Sequence, residues 1–284
     1  MRSMSDADIL IRTEQYQKIE TLMNKTGYTF KYESDHELVW KKGKLTVELH
    51  KRLVATRNKD FYGYFGEGWD FARLKSGSRY ELSPEDFYIY IFVHLAKHYR
   101  AAGIGIKHIT DLWVCRNAVE IDMKAVKDKL KSLGLLRFHS NITDMLSVWF
   151  GDRPSDDMTD FITDVIFNSG SYGKASDAAV ARLTKNAQKK GSLKKAKLYG
   201  VFWLLFPSYS WMSQTFTVLK KAPILLPFCW VARWIKALFG DKKNLKISVE
   251  QLKNGTDEKI AEYEKALKFV GLSFDLDGNQ DMRV

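Results

Sequence analysis

Asp6 and Asp8 are separated by one residue, and the stretch that contains them, Asp6 to Ile11 (DADILI), alternates polar with apolar side chains. A strand built from it would point both carboxylates to one face. Glu48 lies in a second alternating stretch, Leu45 to Leu53 (LTVELHKRL), at a position from which it can face the same way. Three carboxylates on one sheet face offer hard oxygen ligands to a pair of Mg²⁺ (or Mn²⁺) ions, which would bridge phosphate oxygens and activate an incoming nucleophile. The same spacing also suits solvated acids on an edge strand, so the pattern alone leaves both readings open. His50, two residues after Glu48, alternates to the same face and is placed to support a metal-bound carboxylate from behind.

A second group of chemistry-bearing residues falls on one helical stretch. His94 and His98 are four apart and share a helix face, with Lys97 beside them. A zinc site needs a third ligand, and this helix lacks the Glu of a zinc-protease motif. The alternatives are histidines that pack the helix on its neighbours, or Lys97 or His98 reaching a phosphate or base at the sheet face. Asp111 is a candidate partner for either.

The net charge of +11 is concentrated. Between Arg182 and Lys246 there are fourteen Lys and Arg against one acid, Asp241, so the rest of the chain is slightly acidic. Lys185 to Lys197 (KNAQKKGSLKKAK) reads first as a solvated helical face. It is also a candidate surface for an anionic partner: RNA, an acidic protein or an anionic membrane surface. Trp203, Trp211, Trp230 and Trp234 lie close by. Aromatics beside lysines can stack bases or sit at a lipid interface, but a packed helical core is the expected arrangement. Trp203 and Trp230 are then deep in that core, with Lys194, Lys195, Lys197, Lys220 and Lys221 outside in water.

Several elements must position these residues. After the first strand, Ile19, Leu22 and Met23 recur at helical spacing, and Gly27 is a stop. Tyr28 to Glu33 (YTFKYE) and His36 to Lys41 (HELVWK) alternate, and Lys42-Gly43 marks a turn into Leu45 to Leu53. Beyond this small mixed α/β pattern, which covers roughly the first 55 residues, the sequence reads as helical throughout. Ser83-Pro84-Glu85-Asp86 is a strong helix start, combining a cap, a first-turn proline and acids at the positive end of the dipole. That helix runs to about Arg100. Further helices are expected near 107–118, 123–133, 138–150 and 157–167, from about Asp177 into the lysines, and over Thr256 to Phe269. Asn168 to Lys174 is a candidate surface loop. The fold class is therefore α+β: a small mixed-sheet unit over residues 1–80, then a helical domain over 81–284 packed on it.

Composition narrows the class further. A hydrophobic share of 45% and a charged share of 28% are ordinary for a globular protein. Cys115 and Cys229 lie far apart inside apolar stretches and read as buried thiols, not a disulfide framework. The first residues carry acids and do not form a secretory signal, so the expected location is cytoplasmic. No run reaches the roughly 18–20 apolar residues of a bilayer span, and Pro207, Pro223 and Pro227 interrupt the richest stretches. No transmembrane segment is expected, and peripheral membrane contact is the less favoured use of the basic segment.

Taken together, the motifs resemble a family of uncharacterised nucleotidyltransferases within the polymerase-β-like superfamily. Arg2 to Ile11 is similar to the family's R-x-x-x-D-x-D-hydrophobic element. His36 with Val47 to Leu53 resembles its h-E-L-H strand. Glu85-Asp86, His94 to His98 and Ile109 to Trp113 resemble the helical elements that follow. Phe206-Pro207-Ser208, Leu219 to Pro223, Leu226-Pro227 and Trp230 to Arg233 resemble a late FPS … LPhxWhxR region. The resemblance covers most of the chain from Met1 to about Phe239. It implies Asp6 and Asp8 as paired metal ligands and Glu48 as the third carboxylate, coordinating a catalytic ion or accepting the nucleophile's proton. It also implies in-line attack on the α-phosphate of an NTP, with an unknown acceptor: small molecule, protein or RNA. The superfamily places a Gly-Ser or Gly-Gly turn before the D-x-D, and only five residues precede Asp6 here, so the expectation is either a sheet unit that is N-terminally incomplete, the favoured reading, or a protein that has lost its phosphate-binding turn. The competing expectation is a non-catalytic binding or assembly protein on the same fold, with Lys185 to Lys246 as its working surface.

Overall fold

The computed structural model describes residues 6–169, 175–239, 249–250, 252 and 255–275. These fall into two compact units, one spanning residues 6–81 and the other residues 82–275.

The first unit is built on a four-stranded mixed sheet of β1 (Asp6–Leu10), β2 (Thr29–Glu33), β3 (Glu37–Lys42) and β4 (Leu45–His50), in the order β1-β4-β3-β2. β1 and β4 run parallel; the other neighbours are antiparallel. β3 and β4 are joined by a tight turn in which Lys42 pairs with Leu45, and Gly43 takes the positive φ of 59° that such a turn requires. Helix α1 (Tyr16–Lys25) crosses one face, where Met23 joins Ile11, Leu38, Trp40 and Leu49 in the core. Strand alternation leaves Asp6, Asp8, Glu48 and His50 on the opposite face. Ile11 N–H donates to the His50 carbonyl at 2.8 Å, and Lys51 N–H to the His36 carbonyl at 2.7 Å, which fixes the ends of the strands. Asp35 clamps the same end, accepting from Arg52 Nη1 at 2.8 Å and from the Thr56 N–H and hydroxyl at 2.7 and 2.8 Å.

After β4 comes the short helix α2 (Lys59–Phe65), then a hairpin of β5 (Arg73–Ser76) and β6 (Arg79–Glu81). The hairpin corrects the expectation that everything beyond residue 55 is helical. Its signal is Ser76-Gly77-Ser78, with Gly77 at φ 56° between two short polar strands. Their charged residues and small apolar content hide the period-2 pattern.

The second unit is helical: α3 (Pro84–Ala102), α4 (Ile106–Ala118), α5 (Met123–Ser132), α6 (Leu136–Phe150), α7 (Asp157–Ser169), α8 (Ala175–Lys190), α9 (Leu193–Leu205), α10 (Tyr209–Thr215), α11 (Leu226–Phe239) and α12 (Asp257–Val270). α3 is its hub, packing on α4, α5 and α8 through Tyr88, Ile89, Phe92, Leu95 and Ala96, all essentially inaccessible to solvent. Asp86 N–H donates to Ser83 Oγ at 3.1 Å, so the serine caps the helix that its sequence context announces. α7 extends two residues further than expected, to Ser169, and the rest of the anticipated loop, 170–174, lies outside the described residues. Cys115 and Cys229 are buried free thiols.

Two expectations fail in the basic segment. Lys185 is buried, at 3% exposure, because it falls on the inner face of α8, not on a solvated one. The apolar run from Leu198 to Phe239 is not a buried core. Met212, Leu219 and Cys229 form a small cluster with Trp230 half-buried against it, and Trp203 is also only half-buried. Much of the remaining aliphatic and aromatic surface of α9 and α11 faces outward. Lys194, Lys195, Lys220 and Lys221 are exposed as expected, whereas Lys197 is half-buried.

Candidate functional site

The parallel pairing of β1 with β4 sets Asp8 directly beside Glu48 and Asp6 beside Thr46. Antiparallel pairing of β3 with β4 sets Val39 beside Glu48 and Glu37 beside His50. Every one of these side chains leaves the sheet on the face away from the core. One oxygen each of Asp8 and Glu48 and one nitrogen of His50 lie within 4.8 Å of one another, close enough for a single cation. His50 Nε2 is 3.6 Å from Glu48 Oε2 and 3.8 Å from Asp8 Oδ1. These are ionic contacts longer than a hydrogen bond.

The environments of the three groups differ. Asp8 is about half-exposed at its side chain, Glu48 is a quarter exposed, and His50 is buried. Burial of the imidazole opposes its protonation, but the Glu48 contact and the charges of Asp8, Glu37 and Glu48 outweigh it and raise His50 above its ordinary value. Among the described residues neither ring nitrogen of His50 has a hydrogen-bond partner. A buried polar ring with unsatisfied nitrogens, aimed at two carboxylates, fits a site that takes up a cation. Two carboxylate oxygens suit Mg²⁺ or Mn²⁺, and the imidazole nitrogen adds a preference for Mn²⁺ if it ligates directly.

Asp6 shares the face but stands one pleat away and exposed, outside this trio. Glu37 and His36, which received no role from the sequence, adjoin it instead. His36 Nε2 lies 3.0 Å from Glu37 Oε2, its ring sits edge-on to that of His50 at 5.5 Å, and His36, Glu37 and His50 can themselves converge on an ion. Period-2 alternation already put Glu37 on one face of β3. Only the β3–β4 register reveals that it is the face of Glu48.

Lys97 and His98 lie on α3 in the second unit. There His94 and His98 meet His108, contributed by α4, with ring centroids 4.4 to 6.2 Å apart and ring nitrogens within 4.8 Å of one another. The third imidazole that the helix itself lacks thus comes from a neighbouring helix, a contact between residues ten and more apart that no single-helix pattern contains. Burial, with Lys97 and His108 adding repulsion, depresses His98 to about 3 and keeps its ring neutral at physiological pH.

A family model for uncharacterised nucleotidyltransferases matches residues 1–151, which include the sheet, its carboxylates and the histidine-bearing helices. The chain belongs to this family. No curated protein and no solved structure matches the chain. The nucleotidyltransferase match ends within the helical unit, so α7 to α12 lie beyond the matched residues. Among the described residues no helix is long and apolar enough to cross a membrane.

Proposed function

We propose that this nucleotidyltransferase-family chain is a metal-dependent enzyme that transfers an NMP from an NTP to an acceptor nucleophile. The observation that carries the reading is the pairing of Asp8 with Glu48 on adjacent parallel strands, with His50 closing the group. Asp8 and Glu48 would hold Mg²⁺ or Mn²⁺, with Asp6 available on the same face to a second ion. A divalent ion held there supplies charge neutralisation on the triphosphate oxygens.

The chain's own residues do the rest. The acceptor oxygen attacks the α-phosphorus, the bond from that phosphorus to the β-bridging oxygen breaks, and pyrophosphate leaves with the electron pair. Glu48, less exposed than Asp8, would either share the ion with Asp8 or take the proton of the nucleophile. His50 holds the Glu48 and Asp8 carboxylates in one orientation and, when protonated, offsets their mutual repulsion. Its burial makes that support rigid.

Titration calorimetry with Mn²⁺ and a non-hydrolysable α,β-methylene NTP tests the reading. The analogue is expected to bind only when the ion is present, and Asp8→Asn is expected to abolish the ion-dependent heat. Binding that is equally strong without Mn²⁺, or unchanged in Asp8→Asn, would remove these carboxylates from the site.

A further inference from the structure

α11 is turned inside out for a water-facing helix. Phe228, Val231, Ile235 and Phe239 follow one another at three- and four-residue spacing, so they share one side, and all are exposed, Phe239 at 87% and Phe228 at 71%. The opposite side carries the polar anchors. Trp230 Nε1 donates to the Pro207 carbonyl at 3.0 Å, Arg233 Nη1 to Leu204 at 2.8 Å and Trp234 Nε1 to Leu205 at 2.7 Å. The Arg233 and Trp234 bonds satisfy carbonyls at the end of α9, which an α-helix leaves without partners. They also settle which side of α11 packs. α9 repeats the arrangement: Leu198, Phe202 and Leu205 share its exposed side, below Lys194 and Lys195 at its start.

Aliphatic stripes of this size on a solvated helix mark an interaction surface. The charge around them favours an anionic partner. Exposed Lys236 lies on α11 itself, Lys189 and Lys190 end α8, which packs on α9, and Lys220 and Lys221 lie in the segment leading to α11; one acid stands against fourteen cations between Arg182 and Lys246. A second copy would bring an equal positive charge against this one. A nucleic acid would meet the lysines but would leave Leu198, Val231 and Ile235, which have no ring to stack on a base, in water. An anionic bilayer satisfies both chemistries, with headgroups for the lysines and acyl chains for the stripes. With 14 residues α11 is about 21 Å long, short of the ~30 Å hydrocarbon layer, so it lies in the interface instead of crossing it.

We propose that α9 and α11 form a docking surface for an anionic lipid bilayer, with Phe228, Ile235 and Phe239 inserted at the acyl boundary and Lys220, Lys221 and Lys236 on the headgroups. The inference is independent of nucleotidyl transfer.

Vesicle flotation of the full chain tests it, comparing phosphatidylcholine alone with mixed phosphatidylglycerol and phosphatidylcholine. The protein is expected to float with the anionic vesicles only. Lys220→Ala/Lys221→Ala should weaken partitioning roughly thirtyfold. Phe228→Ser/Ile235→Ser should weaken it by at least about tenfold while leaving the far-ultraviolet circular dichroism unchanged, because both residues already face solvent. No flotation with anionic vesicles overturns the proposal, as does undiminished flotation of a folded Phe228→Ser/Ile235→Ser protein. A dimer in sedimentation velocity that the same double substitution dissociates would assign the surface to self-association. RNA binding that survives the double substitution, without vesicle binding, would assign it to nucleic acid.

Discussion

Asp8 and Glu48 bring two like charges together beside a buried imidazole, an arrangement that is costly unless a cation joins it. Divalent metal should therefore stabilise the folded first unit by mass action. At about 100 times its dissociation constant the ion contributes about 2.7 kcal/mol, a rise of about 15 °C for a unit of this size. Thermal melting in Mn²⁺ should show that rise in the wild type and lose it in Asp8→Asn; an equal rise in both would put the ion elsewhere. His139 lies in the core against Phe92, with its Nε2 2.9 Å from the Tyr88 hydroxyl. Burial, reinforced by Arg116 and Lys127, lowers it to about 4. The unfolded chain, with an ordinary value near 6.5, then binds more protons than the folded one between about pH 4 and 6.5. Stability should fall as pH drops through that window. In urea titrations, His139→Gln should reduce the slope by up to about 1.4 kcal/mol per pH unit, and an unaltered slope would contradict the assignment. Asp8 and Glu48 were legible as candidates from alternation alone. Their pairing, and the company of Glu37 and His36, were not, because strand register is set by partners distant in sequence.

Elements with strong local signals were readable. The Ser83 cap, the Lys42-Gly43 turn and the periodic helices of the second unit all rest on contacts within a few residues. Ser83 binds Asp86 in both directions, its Oγ accepting from the Asp86 N–H and donating to Oδ2 at 2.8 Å, and Asp86 is held in turn by Lys129 Nζ at 2.7 Å from α5. Ser83→Ala should cost about 1 kcal/mol in chemical denaturation, with loss of amide protection at the start of α3. Unchanged protection there would mean that the cap is redundant with the proline that follows it. The β5–β6 hairpin was not readable, since three- and four-residue strands with charged side chains give no period to detect. The His94–His98–His108 group was half readable, because its third member comes from another helix.

For the whole molecule, the α+β class followed from the change of period after about residue 55, whereas the disposition of the late apolar region did not. Hydrophobic runs carry no label that separates a core helix from one whose apolar side faces out, and only the Trp230, Arg233 and Trp234 bonds identify the packed side. The two overlapping metal-capable groups around His50 lie in the first unit and the three histidines in the second, so hydrogen exchange distinguishes the units. Saturating Mn²⁺ should slow exchange in β1, β3 and β4 and leave α3 and α4 unchanged; protection gained in α3 and α4 instead would shift the ion to the three histidines. Nucleotidyl transfer is itself measurable. The full chain is incubated with each α-³²P-labelled NTP, Mg²⁺ or Mn²⁺, and a cell extract as the source of acceptor. The expected result is metal-dependent transfer of label with release of pyrophosphate, lost in both Asp8→Asn and Glu48→Gln. Transfer that persists in both folded variants would contradict the account.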